Sequence, residues 1–349
     1  MDITEYVRHD AVGLAELIAR REVTPAEVEA AAREAARSVG PRVNAVVETW
    51  PADDTPRPGS TPLAGVPFLV KDLGVEAAGR RTELGSRLAA GQVAAADSTL
   101  MTRLRRAGLV TFGRTATPEL AYSTTTEPVL YGATRNPWDL TRSAGGSSGG
   151  AGAAVAAGIV PIAHATDAAG SIRVPAAYNG LFGLKPTRGR VPMGPAVDEI
   201  FNGLAVHGAV SRTVRDSAVL LDLVRGPAPG DPYAAPEPPR PYAEEVDRDP
   251  GALLIGVLTR PWGGRAVAPP VAEALARAVR LLESLGHRVT EAEPDPGTGT
   301  GLPVGMQFAA GYGQEGRLFR LAGQLERAWP WSDRTPAVWA GHPGGHRGH

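Results

Sequence analysis

Two turns rich in glycine and serine lie on either side of one short apolar helix and strand near the middle of the chain. The first turn is GGSSGG at residues 145–150 and the second is DAAGSIR at residues 167–173. Between them, small apolar residues predict a helix over residues 151–157 and an apolar strand over residues 159–163. Glycine lets a ligand approach the serine hydroxyls closely and lets backbone N–H groups turn toward negative charge. The pattern therefore predicts an α/β unit whose turns carry reactive serines.

The rest of the chain alternates between predicted helices and strands. Thr24, one of the residues 97–99 and Thr213 are expected to cap three of the helix starts. Predicted helices cover residues 11–21, 25–39, 99–107, 214–224, 270–285 and 314–328, and predicted strands cover residues 63–73, 109–112, 252–258, 287–291 and 304–309. The strand at 252–258 has the apolar composition of a buried strand. This alternation predicts an α/β fold with a mainly parallel or mixed sheet.

Composition narrows the class of protein. The chain has 349 residues, 43% of them hydrophobic, a net charge of -1 and no cysteine. A chain of this length can bury a large core. Its net charge gives no positive field that would attract nucleic acid or an anionic membrane. Without cysteine it cannot form disulfides or a thiolate metal site. The sequence starts without the basic and apolar regions of a signal peptide, and no apolar run is long enough for a spanning helix. We therefore expect a cytoplasmic enzyme without a metal or other cofactor.

Lysine is scarce enough to be informative. The chain has 36 lysine and arginine residues, of which only Lys71 and Lys185 are lysines. Arginine keeps its proton in proteins, whereas a buried lysine can become neutral and act as a base. Lys71 follows the apolar run VPFLV at residues 66–70, so we expect it to be buried. A serine hydrolase with lysine as its base is the chemistry that these residues favour, whereas Lys185 has no comparable context.

Other chemistries fit the same turns less well. The segment GGSSG at residues 145–149 matches the G-x-S-x-G nucleophile elbow, which would need an Asp and a His later in the chain. His207 and His287 have no supporting context, and His164 is expected to be a core histidine. A glycine-rich turn before a helix can also bind phosphate, but no lysine follows this turn as in a Walker loop.

Several motifs together resemble the amidase signature family of serine amidohydrolases. They are AGVPFLVKD at residues 64–72, GRTATPE at 113–119, GATRNPW at 132–138 running into the first turn, TDAAGSIRVP at 166–175, and GLKPTRGR at 183–190. Ser147 and Ser171 have the family's spacing of 24 residues. Within the family, the segments at residues 125–128, 311–313 and 330–331 are most similar to the 6-aminohexanoate cyclic-dimer hydrolases. The resemblance implies a mixed, largely parallel twisted sheet covered by helices on both faces.

The resemblance also implies a Ser–cis-Ser–Lys triad. Ser171 would attack the amide carbonyl, Ser147 would relay its proton, and Lys71 would accept it, giving an acyl-enzyme that water hydrolyses. The expected oxyanion hole consists of backbone N–H groups of Ala168, Ala169, Gly170 and Ser171. Ala169 stands where many members have glycine, which a negative φ tolerates. Ser148 is expected to orient the relay, and Asp167 and Arg173 are expected to form a supporting ion pair. Residues 121–124 are expected to line the leaving-group side. The implied substrate is a small linear or cyclic amide.

One departure from the family falls between residues 293 and 302. Members carry about a hundred more residues there, and the ten residues in this chain are too few for a helical crossover between parallel strands. We therefore expect one incomplete α/β domain over residues 1–332 with an internal deletion, a disordered tail at 333–349, and a possible homodimer. An active amidase is the first hypothesis, and a catalytically impaired relic that binds without turnover is the second. A third, a subunit of a tRNA-dependent amidotransferase, lacks any basic patch or docking signal.

Overall fold

The computed structural model describes residues 1–52, 59–259, 266–292 and 306–342. Within these ranges helices and strands alternate along the chain, as predicted. The helices are α1 (Ile3–Tyr6), α2 (Ala11–Ala19), α3 (Pro25–Val43), α4 (Thr99–Arg106), α5 (Gly149–Ala156), α6 (Arg173–Asn179), α7 (Val214–Val224), α8 (Pro269–Ser284) and α9 (Glu315–Ala328). The strands are β1 (Val46–Thr49), β2 (Pro67–Lys71), β3 (Val110–Thr115), β4 (Arg135–Asn136), β5 (Asp139–Ser143), β6 (Ile162–Asp167), β7 (Phe182–Gly183), β8 (Val206–Ser211), β9 (Leu254–Val257) and β10 (Arg288–Glu291).

The predicted helix caps are confirmed. Thr24 and Glu27 form a complete capping box at the start of α3. The side chains of Ser98 and Thr213 accept hydrogen bonds from backbone N–H groups in the first turns of α4 and α7. These residues fix the helix starts because the first N–H groups of a helix have no partner within it.

The central sheet is mixed and has six strands. Its order is β1-β3-β2-β6-β8-β7, with parallel pairing at β3-β2-β6 and antiparallel pairing elsewhere. Four of the six strands therefore run in one direction, which confirms the mixed, largely parallel sheet. A parallel centre places the carboxyl ends of β2 and β6 at the same edge. Lys71 and Asp167, the last residues of these two strands, lie at that edge.

Helices pack on both faces of this sheet. Side chains alternate between the two faces along a strand. In β2, Phe68 lies beside Leu104 of α4 and Leu221 of α7 around an apolar cavity. Lys71 points the other way, toward the start of α5. This layering buries β2 completely and sets the lysine beside the first serine-containing turn.

A second, small sheet differs from the prediction. β9 and β10 pair in parallel and are joined through α8, but their side chains are largely exposed. Leu254, for example, is 71% exposed, so the expectation of a buried strand at 252–258 is wrong. The unit instead packs through α8 and α9, around Leu282, Leu321 and Leu325. An apolar run cannot by itself distinguish a buried strand from one at the margin of a fold.

Three other expectations need revision or fall outside the described residues. The strand predicted at 159–163 starts later, at Ile162, because the chain first turns at the end of α5, where Gly158 has a φ of 80°. Residues 306–309, where a strand was expected, have no regular structure, and 304–305 lie outside the described residues. The proposed deletion site at 293–302 also lies outside them.

The tail is partly packed. Val338, Trp339 and Ala340 are buried in the main core, and the N–H of Ala340 donates to the carbonyl of Ala157. This contact differs from the disordered tail expected from residue 333, because the Trp339 ring gains apolar contacts that its sequence neighbours do not reveal. Residues 343–349 lie outside the described ranges. None of the helices in the described residues is both long and apolar enough to cross a membrane.

Candidate active site

Lys71 is buried at the end of β2. Only 1% of the residue is exposed, and all five residues of the strand are buried. Burial lowers the pKa of Lys71 from 10.5 to about 7, although the negative charge of Asp167 acts in the opposite direction. The predicted burial is therefore confirmed, and close to neutral pH this amine can exist without its proton.

The first turn places Ser147 directly on this amine. The Ser147 Oγ lies 2.7 Å from the Lys71 Nζ, and the peptide bond between Gly146 and Ser147 is cis. Glycine is required before the serine because a Cβ on Gly146 would lie 2.8 Å from the carbonyl oxygen of Ser123. The backbone of residues 123–125, which overlaps the segment 121–124 expected to line the leaving-group side, therefore packs against the turn.

The second turn is held by the carboxylate of Asp167. It accepts hydrogen bonds from the N–H groups of Gly170 at 2.8 Å and Ile172 at 3.2 Å, and from two guanidinium nitrogens of Arg173 at 2.8 and 2.9 Å. Burial alone would raise the pKa of Asp167, but the hydrogen bonds and charge of Arg173 outweigh it and lower the pKa. The expected ion pair is therefore present, and it shapes the turn that carries Ser171.

The backbone of Ser171 contacts the first serine-containing turn. Its carbonyl oxygen accepts a hydrogen bond of 3.3 Å from the N–H of Ser148. Among the described residues, no hydrogen bond joins the hydroxyls of Ser171 and Ser147. The structure thus assembles Lys71 with Ser147 and places the turn of Ser171 beside them.

The predicted oxyanion hole needs one correction. The N–H of Gly170 already donates to Asp167, so it is not free to bind an oxyanion. Within the described residues, the N–H groups of Ala168, Ala169 and Ser171 have no hydrogen-bond partner. Ala169 is exposed and is not among the residues with positive φ, whereas Gly170 has φ 118°. Alanine is therefore compatible with this position, and glycine is needed only at 170.

Thr166 is a site residue that the sequence patterns did not single out. Its Oγ1 lies 2.8 Å from the Lys71 Nζ, so the amine has two hydroxyl neighbours. Ser148 supports this arrangement, since its hydroxyl accepts from the Thr166 N–H at 3.2 Å and donates to the Thr166 carbonyl at 3.3 Å. Thr166 is the first residue of the motif at 166–175, but the sequence assigned it no role of its own.

In the described residues, none of His164, His207 and His287 is hydrogen-bonded to Ser147 or Ser171. His164 is buried, accepts a hydrogen bond from the Lys71 backbone N–H at 3.3 Å and contacts His207 at 3.1 Å. Burial is the main reason that the pKa of His164 is well below its usual range and that of His207 is about 4. His287 contacts Gln324 and the backbone of Leu253. These contacts give the nucleophile-elbow alternative no base, and the described residues contain no cluster of acidic and histidine side chains able to hold a metal ion.

A charged network supports the strand that ends at Lys71. The next residue, Asp72, accepts N–H groups of Glu83 and Gly85 at 2.7 and 3.0 Å. Arg114 on β3 donates to Asp72 at 2.5 Å and also to Glu83, and its Nε donates to Glu48 at 2.8 Å. Arg114 is 2% exposed, so this network is a buried part of the fold behind the site.

Comparison with known proteins agrees with this geometry. The 6-aminohexanoate-cyclic-dimer hydrolase of Paenarthrobacter ureafaciens is 45% identical over 295 residues, covering 82% of this chain and 59% of that protein. The acylamidase of Rhodococcus erythropolis is 38% identical over 298 residues, covering 82% of this chain and 62% of that protein. This chain thus spans about three fifths of the length of these relatives.

Solved structures show the same similarity. A 6-aminohexanoate cyclic dimer hydrolase complexed with substrate has a TM-score of 0.77 at 43% identity, covering 82% of this chain and 61% of that one. A bacterial aryl acylamidase of the amidase signature enzymes family has a TM-score of 0.74 at 30% identity, covering 82% and 61%. The sequence model described as Amidase matches residues 35–298, well over half of this sequence. The chain belongs to the amidase family.

Proposed function

We propose that this protein hydrolyses the carbon–nitrogen bond of an amide other than a peptide bond. The observation that carries the proposal is the 2.7 Å contact between the buried Lys71 amine and the Ser147 hydroxyl. A lysine with a pKa of about 7 can accept a proton near neutral pH, which an exposed lysine does not do. The names of the relatives, a cyclic-dimer hydrolase and an acylamidase, support the same chemistry.

In the proposed reaction the Ser171 Oγ attacks the carbonyl carbon. Its proton passes to the Ser147 Oγ, and the proton of Ser147 passes to the neutral Lys71 Nζ. The oxygen of the carbonyl becomes an oxyanion that the N–H groups of Ala168, Ala169 and Ser171 stabilise. When the C–N bond breaks, the same relay returns a proton to the leaving amine. Water then attacks the acyl-enzyme and releases the acid.

Thr166 and Ser148 would position the relay. A neutral lysine has one lone pair and two N–H bonds. With one N–H donating to the Thr166 Oγ1, the lone pair of the amine can accept the hydrogen bond from the Ser147 hydroxyl. Ser148 fixes the backbone of Thr166 and therefore acts through it. Nothing in the described residues favours the non-catalytic alternative, and the homodimer, the cytoplasmic location and the identity of the amide stay predictions.

Labelling with a fluorophosphonate tests the proposal. The purified protein is expected to form a covalent adduct at Ser171, located by mass mapping. Ser171→Ala should abolish the adduct, and Lys71→Ala should slow its formation about a hundredfold or more, because the general base is lost. Lys185→Ala is the matched control, since it removes the other lysine of the chain, whose amine donates to the Pro186 carbonyl and has no hydrogen bond to either serine in the described residues. Folded wild-type protein that is not labelled would refute the proposed nucleophile.

The labelling rate is also expected to depend on pH. Only the neutral lysine accepts a proton, so the rate should rise about tenfold per pH unit below pH 7 and level off above about pH 8. Thr166→Val should move the midpoint to lower pH, because it removes an acceptor that stabilises the ammonium form. Thr166→Ser should restore it. A rate independent of pH between 5 and 9 would exclude Lys71 as the base.

A further inference from the structure

Two aromatic rings are exposed and yet touch each other. Tyr122 is 77% exposed and Phe201 is 48% exposed. Their ring centroids are 5.8 Å apart with an interplanar angle of 79°, which is an edge-to-face contact. The two residues come from loops that are far apart in sequence. Exposed apolar groups that gather at one place commonly mark a binding site.

The loop of Tyr122 is built onto the first serine-containing turn. The backbone of Ser123 and Thr124 approaches Gly146, the residue before Ser147, within the range where a Cβ would collide. The preceding residues Leu120 and Ala121 have φ values of 51° and 61°, which turn the chain back at this point. Tyr122 therefore stands immediately beside the turn that carries the proposed relay serine.

The loop of Phe201 is built onto the second turn. It leads into Val206, the first residue of β8, which pairs with Asp167 at the end of β6. Tyr233 holds this loop in place, since its hydroxyl donates to Glu199 at 2.9 Å. Gly203, with φ 73°, packs against the ring of Tyr233. Phe201 thus lies on a held segment that leads into β8, the strand that pairs with β6 where the second turn begins.

We propose that Tyr122 and Phe201 form an aromatic rim at the mouth of the active site that binds the apolar chain of the amide substrate. This inference rests on the proposed function and names its substrate class. Leu120 and Leu204, which are 44% and 60% exposed on the same two loops, extend the apolar surface. The rim selects amides that carry an alkyl or aromatic group of several carbons over short amides such as acetamide.

Calorimetry with Ser171→Ala protein tests the rim without requiring turnover. Octanamide is expected to bind at least tenfold more tightly than acetamide. Tyr122→Ser and Phe201→Ser, each made in this background, should weaken octanamide binding about tenfold and change acetamide binding less than twofold. Leu254→Ser is the matched control, because it removes an exposed apolar side chain from the small second sheet.

The outcomes separate the rim from the catalytic proposal. The rim proposal would be overturned if octanamide bound no more tightly than acetamide, or if it bound the rim variants as tightly as the parent protein. Such a result leaves labelling of Ser171 in the wild-type protein unaffected. Failure of Ser171 to react, with octanamide binding still dependent on Tyr122 and Phe201, would instead overturn the catalytic proposal and retain the rim.

Discussion

Replacing Lys71 by methionine is expected to lower amide turnover by about 10⁴-fold, the upper range for loss of a general base. The variant keeps a side chain of similar length in the same buried position but has no lone pair that can accept the Ser147 proton. The hydroxyls of Ser147 and Thr166, which lie 2.7 and 2.8 Å from the Lys71 amine in the wild type, lose this shared partner. Turnover is measured with the wild type and the variant at pH 8, where the wild-type lysine is mostly neutral.

The same substitution should change how stability depends on pH. The unfolded chain holds the lysine proton up to a pKa near 10.5, whereas burial lowers the folded pKa to about 7. Between these values the wild type releases a proton when it folds, so its stability rises with pH, by about tenfold in the folding equilibrium per pH unit. The methionine variant lacks this term, and its stability relative to wild type should be greatest at pH 7 and below.

Urea unfolding of both proteins at pH 7, 8 and 9 measures this difference. Ser171→Ala is the control, since it removes activity but retains Lys71 and should follow the wild-type pH dependence. If the wild type and Lys71→Met show parallel pH dependences, Lys71 keeps its proton in the folded protein and cannot be the base. The combination of lost turnover and altered pH dependence would identify a functional group held at a cost in stability.

Local chemistry explains which parts of the fold were predictable. Thr24, Ser98 and Thr213 satisfy N–H groups only a few residues away, so their sequence neighbours are sufficient to place the starts of α3, α4 and α7. The order of the sheet depends on pairing between distant segments, such as Leu69 with Ala163. No local pattern reports this pairing, and for the same reason the exposed position of β9 was not predicted.

The candidate site also has parts that the sequence predicts and parts that it does not. Lys71, Ser147 and Ser171 were chosen as candidates because scarce lysine and glycine-rich turns are visible in the sequence. Thr166 was not found, because its relevance comes from a contact with Lys71 across two strands, 95 residues away in sequence. The involvement of the Gly170 N–H with Asp167 likewise depends on how the turn closes. Motifs point to candidate reacting groups, whereas the side chains that contact those groups appear only when the strands are assembled.

Replacing Arg114 by methionine is expected to destabilise the protein by about 3–5 kcal/mol, the usual cost of removing one partner from a buried ion pair. The change would leave Asp72 and Glu83 buried without their cation. In the wild type, hydrogen bonds from Tyr131, Gly91 and Arg114 outweigh burial and lower the pKa of Glu83 to about 2. Loss of Arg114 should raise this pKa.

The cost of Arg114→Met should therefore be smaller at pH 5 than at pH 8, because a carboxyl group whose folded pKa is raised is relieved by protonation as pH falls. Urea unfolding at both values measures it, with Arg37→Met as the matched control. Arg37 pairs with Glu34 at 2.6 Å on the exposed surface of α3, and its loss should cost less than about 1 kcal/mol. Equal losses in the two variants would mean that the Arg114 network contributes no more than a surface pair.

Since Asp72 directly follows Lys71, a large loss confined to Arg114→Met would show that the strand presenting the lysine is held by charge as well as by apolar packing.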